Sequence, residues 1–134
     1  MSSRPQFAPQ AVFNSTTGQS MAGNLTSLIT VIQKLSQISY GVSWSGSSPV
    51  GTIQVLVSND YATNGQGTVS NAGTWIPLYY NQGTGTPVVS SAITGNTGTL
   101  WIDIPQTGAF AIKLVYTKTS GTGTLSSTIC AKVS

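Results

Sequence analysis

The sequence predicts an all-β fold, an antiparallel β-sandwich of jelly-roll-like type with about eight strands, and three observations predict it. Short runs rich in Val, Ile, Thr, Tyr and Trp recur along the chain, separated by clusters of Gly, Asn and Pro. Inside several of these runs, large apolar residues alternate with small polar ones, the period of a strand with one buried face. Charged residues are only 5% of the 134 positions, against about 25% in ordinary soluble domains, so Ser, Thr, Gly, Asn and Gln supply the solvation.

Residues 1–24 read as an extended N-terminal arm preceding a β-sandwich domain at 25–134. Pro5, Pro9, Gly18 and Gly23 stand there among Ser, Thr, Asn and Gln, with Phe7, Val12 and Phe13 as isolated apolar points. Those three side chains are expected to dock on a neighbouring subunit and order the arm. Segment 25–35 places Leu25, Leu28, Ile29, Ile32 and Leu35 at helical spacing. Its β-branched residues and the absence of a capping box favour a strand, with a helix as the alternative.

The next run, 38–44, alternates Ile38, Tyr40, Val42 and Trp44 with Ser39, Gly41 and Ser43, which sets four large side chains on one face. After a turn expected at 45–51 (SGSSPVG), residues 52–58 repeat the pattern with Ile53, Val55 and Val57 inward. The polar stretch 59–73 reads as the longest loop. Further strands are expected at 74–80, 86–93, 98–104, 109–117 and 123–133, with a hairpin turn from Thr119 to Gly123. At this length one domain buries about two thirds of the surface of its unfolded chain.

Composition narrows function. The chain has two acidic residues, five basic ones, one Cys and no His, so little is present that titrates near neutral pH. An enzyme is not expected, nor a cofactor or a metal site. Asp60 and Asp103 could supply at most a weak calcium site with Asn59, and a turn-forming Asp60 is the simpler account. Cys130 permits no intrachain disulfide and reads as a small strand residue. The net charge of +3 comes from residues that never cluster, which argues against nucleic acid as a partner. The longest apolar run falls short of a spanning helix, so no membrane partner is expected, and the N-terminus lacks an apolar core of signal-peptide length.

Aromatic residues carry the remaining information. Trp44, Phe110 and Tyr116 are in phase with aliphatic neighbours and read as core. Trp101 is out of phase with Leu100, Ile102 and Ile104, and with Tyr61 and Tyr80 it is a candidate for a contact surface that stacks on sugar rings or anchors a protein interface. The stretch 116–129 is Gly-rich but lacks the order of a phosphate-binding loop.

Three segments, VSWSGSSPVGTIQVLVSNDY at 42–61, GTW at 73–75 and IKLVYTKTSGTGTLSSTICAK at 112–132, give the chain a further character. Together they resemble small β-sandwich virion structural proteins, of decoration type, from tailed bacteriophages and prophages. The resemblance spans about residues 38–134 and leaves the arm outside it. It implies a virion protein made in the bacterial host cytoplasm, with the major capsid protein and further copies of itself as partners. The leading expectation is a capsid decoration or cement protein on the capsid surface, a homo-oligomer with a trimer favoured. The alternative is a carbohydrate-binding or host-adhesion module on a tail or spike.

Overall fold

The computed structural model describes residues 6–13, 18–32, 35, 37–64, 66, 68–82, 86–105 and 108–132, with residues 6–10 and 132 described through their backbone. Among these residues eleven strands form, all paired antiparallel: β1 (Gln6–Ala11), β2 (Gln19–Ser20), β3 (Leu25–Thr26), β4 (Thr30–Val31), β5 (Gln37–Ser58), β6 (Ala62–Thr63), β7 (Val69–Asn71), β8 (Ile76–Pro77), β9 (Ser91–Ile93), β10 (Thr97–Ile104) and β11 (Ala111–Lys132). The fold is all-β, as the alternation predicts. Segment 25–35 contributes two short strands, and no helix occurs among the described residues.

Two of the expected turns are not turns. Residues 45–51 and 119–123 lie inside β5 and β11, each 22 residues long, and these two strands pair with one another from Ala111–Ser58 to Lys132–Gln37. The Gly, Ser and Pro content read as turn chemistry belongs instead to a pair of opposed bulges. Lys118 stands opposite Gly51 and Thr122 opposite Ser47, with shifted pairing at Ser120 between them. An extra residue on β11 is therefore offset by an extra residue on β5, and the register continues unchanged beyond the bend. Pro49 falls inside this irregular stretch, where a missing N–H costs no regular ladder bond. Gly121 adopts φ 77° there, and a Cβ on it would run into the Ser48 carbonyl.

The bulges also explain a change of phase. On β5 the buried side chains are Ile38, Tyr40 and Val42 before the bend but Ile53 and Val55 after it. On β11 they are Ile112, Leu114 and Tyr116, then Leu125, Ile129 and Ala131, with Ala111 also buried at the strand's start. One inserted residue per strand flips the parity, so the same face of the ribbon stays on the core as it turns. Each half of the ribbon then organises one layer of the sandwich. The first layer runs β1-β11-β5-β10, using Gln37–Ser45 of β5 and Thr124–Lys132 of β11. In the second layer, β8 and β9 pair with the later part of β5, while β3 and β4 pair with the earlier part of β11. Side chains from both halves form one continuous core.

The N-terminal segment departs from the arm expected. β1 extends the first layer along β11, with Gln10 opposite Ile129 and Ala11 opposite Thr128. Val12 and Phe13 are buried in this chain's own core at 2% and 5% exposure, and Met21 is fully buried. The edge of β11 offers unpaired backbone groups, and covering them while burying two large apolar side chains outweighs solvating the segment. The Phe7 side chain lies outside the described residues.

Three tyrosines are fully buried but differ in their hydroxyl groups. Tyr80 Oη reaches Ser91 Oγ at 2.5 Å and donates to the Ile53 carbonyl at 3.4 Å; Tyr116 Oη donates to the Val50 carbonyl at 3.3 Å. Tyr40 Oη has no hydrogen-bond partner among the described residues, and burial pushes its pKa up. A buried hydroxyl without a partner costs free energy, whereas removing one of two bonded partners strands the other.

Two predictions follow from this packing. A chain lacking residues 1–13 loses about 3 kcal/mol or more of stability, since burial of Val12 and Phe13 contributes about 1.5–3 kcal/mol each; an unchanged denaturation midpoint would place the segment outside the fold. Tyr40→Phe leaves stability unchanged or raises it, while Tyr80→Phe lowers it by about 1–2 kcal/mol, as read by urea unfolding of the two variants side by side.

Candidate functional site

The outer face of the first layer is set by the pairing of β10 with β5. Ile102 and Ile104 point inward and are buried, so Trp101 and Asp103 between and before them point outward. Trp101 is 55% exposed. Directly opposite it on β5 is Gly41, opposite Gly41 on β11 is Thr128, and opposite Thr128 on β1 is Ala11. A row across four strands thus has its one large side chain at the β10 end and a bare backbone beside it. A Cβ at Gly41 would sit 3.9 Å from the Trp101 ring and 3.7 Å from Thr128 Oγ1, so the glycine opens the floor without being forced by sterics.

Neighbouring rows carry hydroxyl groups. Ser43 stands between Thr99 and Ser126, and Ser39 between Asp103 and Cys130. On one side of Trp101 lies a hollow of about 440 Å³, floored by Gly41, Ser43 and Ser126 and walled at its far end by Phe13. On the other side lies a second hollow of about 480 Å³ that includes Ser39, Asp103 and Cys130, again with Trp101 as a wall. Among the described residues no Lys or Arg lines either hollow.

A second cluster closes the end of β5. The Asp60 carboxylate accepts the Thr74 N–H at 2.6 Å and the Ser58 hydroxyl at 2.8 Å, which ties the two ends of the loop containing β6 and β7 together. Tyr61 packs against Trp75 with ring centroids 5.9 Å apart, and Lys113 Nζ lies 4.3 Å from the Trp75 ring centroid. Partial burial pulls the Lys113 pKa down. The Asp60 carboxyl is held below its usual range, first by the Thr74 backbone N–H and then by the Ser58 hydroxyl. These contacts make Asp60 a loop clamp, the turn-forming role its sequence setting suggests. Asp103 lies on the outer face of the first layer, whereas Asp60 follows the second-layer end of β5.

The expected contact residues therefore separate. Trp101 is exposed, and Tyr61 is half-buried against Trp75. Tyr80 is not a surface residue: it bridges Val88 and points into the core, while its neighbour Tyr79 is 61% exposed. Consecutive residues of an extended segment face opposite ways, and Leu78 and Tyr80 share the inward phase. Val12 and Phe13 dock within their own chain. Gly41 was not singled out from the sequence, because its importance depends on lying opposite Trp101, some sixty positions away. The other two tryptophans commit their indole N–H groups internally, Trp44 to the Thr94 carbonyl at 3.3 Å and Trp75 to that of Ala72 at 2.9 Å.

No protein-family model matches the chain, and comparison with curated proteins gives no match. Comparison with solved structures finds a likeness to the crystal structure of the SPBc2 prophage-derived protein YomS, with a TM-score of 0.59 and 14% sequence identity, covering 97% of this chain and 96% of that one. The likeness is one of fold along nearly the whole of both chains.

The Asp60 clamp predicts a pH dependence. A carboxyl with a lower pKa in the folded than in the unfolded state stabilises the fold above its unfolded value, and that contribution is lost as pH falls through the folded value. Thermal unfolding of the native chain is therefore expected to fall more steeply below about pH 4 than that of Asp60→Asn. Parallel acid limbs for the two proteins would remove the clamp from the account.

Proposed function

We propose that this chain is a structural protein of a bacteriophage or prophage particle, bound to the capsid lattice as a decoration or cement subunit. The observation that carries the reading is the fold shared with a prophage-derived protein over nearly the full length of both chains, joined to the sequence pattern at 42–61, 73–75 and 112–132. The surface suits this role. Exposed large apolar side chains lie along both margins of the second layer, Leu28 and Val31 around β3 and β4, and Ile76 and Tyr79 around β8. One apolar site on each margin allows head-to-tail contacts that close into a ring, the geometry of a trimer or other symmetric cluster. Seven formally charged residues in the whole chain leave little like-charge repulsion between densely packed copies.

The test is co-sedimentation of the purified protein with capsids assembled without it. Saturable binding is expected, at a copy number commensurate with the lattice symmetry axes. The double variant Ile76→Ser, Tyr79→Ser is expected to keep its fold and to bind fewer copies. Wild-type protein that stays in the supernatant at saturating concentration would refute the reading.

A further inference from the structure

We propose that the outer face of the first layer is a binding site for a neutral oligosaccharide, with Trp101 as its stacking platform. The inference rests on the geometry around Trp101 and is independent of where on a particle the protein sits. A pyranose ring presents a face of C–H groups and a rim of hydroxyls, so its recognition needs a flat exposed aromatic beside short hydrogen-bonding side chains. Trp101 supplies the first, projecting between two hollows of about 440 and 480 Å³, sizes within the range of about 300–1,000 Å³ common to ligand sites. Ser39, Ser43, Thr99 and Ser126 supply the second. All four are short side chains on paired strands, so little conformational entropy is lost when they bind.

Gly41 is the feature that makes this a site. It sits beside the indole where any other residue would raise a side chain, and its Cβ position is not sterically closed, with nearest atoms at 3.7 and 3.9 Å. The hollow continues from Trp101 on β10 to Phe13 beyond β1, across four strands. Three interstrand spacings make about 14 Å, room for about two or three sugar rings. Charge selects among glycans. Among the described residues Asp103 is the one charged residue lining either hollow, so sialylated, uronic or phosphorylated sugars meet an acid there. Composition also separates this face from a protein-docking surface, whose centre gathers several large apolar side chains. Among the described residues Trp101 is the one large apolar side chain exposed here; Phe13, Val42 and Leu100, which also line the first hollow, are buried or half-buried.

The experiment is NMR titration of isotope-labelled full-length protein with maltotriose, cellotriose, chitotriose and mannotriose, and with sialyllactose and trigalacturonate as anionic counterparts. At least one neutral trisaccharide is expected to shift the Trp101 indole N–H and the Gly41 and Ser43 amides, leaving the Trp75 indole in place. The anionic sugars are expected to shift none of them. Trp101→Ala is expected to weaken the affinity about tenfold or more, the equivalent of about 1.4 kcal/mol. Gly41→Val, which fills the floor with a residue suited to strands, is expected to abolish binding while amides of the second layer keep their positions. The proposal is overturned if no neutral sugar moves Trp101, if anionic sugars bind better, or if binding survives Trp101→Ala. Loss of capsid attachment in Trp101→Ala without any sugar response would likewise overturn it, assigning the face to a protein partner.

Discussion

The pairing of β5 with β11 is the constraint on which the rest of the molecule depends. Within the main sheet, every other strand pairs with one of these two, so an error in their register would propagate to all of them. Two features protect that register. Apolar residues on one strand stand opposite apolar residues on the other in both halves, Tyr40 against Ile129 and Ile53 against Tyr116. At the bend, the offset bulges return the pairing to the same alignment, so a slip in one half would have to be matched in the other. Slippage by a single residue would also turn the second-layer core residues out to solvent, losing about 1.5–3 kcal/mol for each large side chain.

What the sequence reveals of this arrangement depends on how local the physics is. The alternations at 38–44, 52–58 and 98–104 are properties of single strands, and each recurs in the structure with the predicted residues inward. The out-of-phase position of Trp101 is local in the same sense, and it is exposed. At the bend composition is ambiguous, because Gly, Ser and Pro are favoured both where a chain reverses and where a strand bulges. Only the presence of a second segment of matching composition, 119–123 facing 46–50, separates the two cases. The N-terminal residues fail for a related reason. Val12 and Phe13 carry no strand signature of their own, and their burial follows from the unpaired edge that β11 presents more than a hundred positions later. Gly41 is ordinary by itself and becomes informative only when pairing sets Trp101 and Thr128 on either side of it.

The low charge has a structural counterpart in how polar groups are handled. Core hydroxyls are few and most are bonded, as in the contacts of Tyr80 with Ser91 and of Ser27 with the Leu114 backbone N–H. Solvation falls instead to rows of Ser and Thr on the outward-facing positions of β5, β10 and β11 in the first layer. Such rows are short, uniform and already fixed by the strands that bear them. A surface of this kind hydrates well without ions, and it presents donors and acceptors at strand spacing to any ligand with hydroxyls of its own.

The two layers consequently have different outer chemistries. The first is hydroxyl-rich, with one exposed tryptophan between two hollows; the second bears its exposed apolar side chains at the margins, around β3, β4 and β8. Since both layers derive from the same β5–β11 ribbon folded at its bulges, their outer faces point away from each other. A subunit held to a lattice through the margins of its second layer would leave the Trp101 face directed outward, with its floor of Gly41 and serines open to solvent. Attachment and sugar binding would then draw on separate residues, and neither would compete with the other for surface. The bend at residues 46–50 and 118–123 is what creates that separation, because it is the point at which one continuous pair of strands becomes two opposed surfaces.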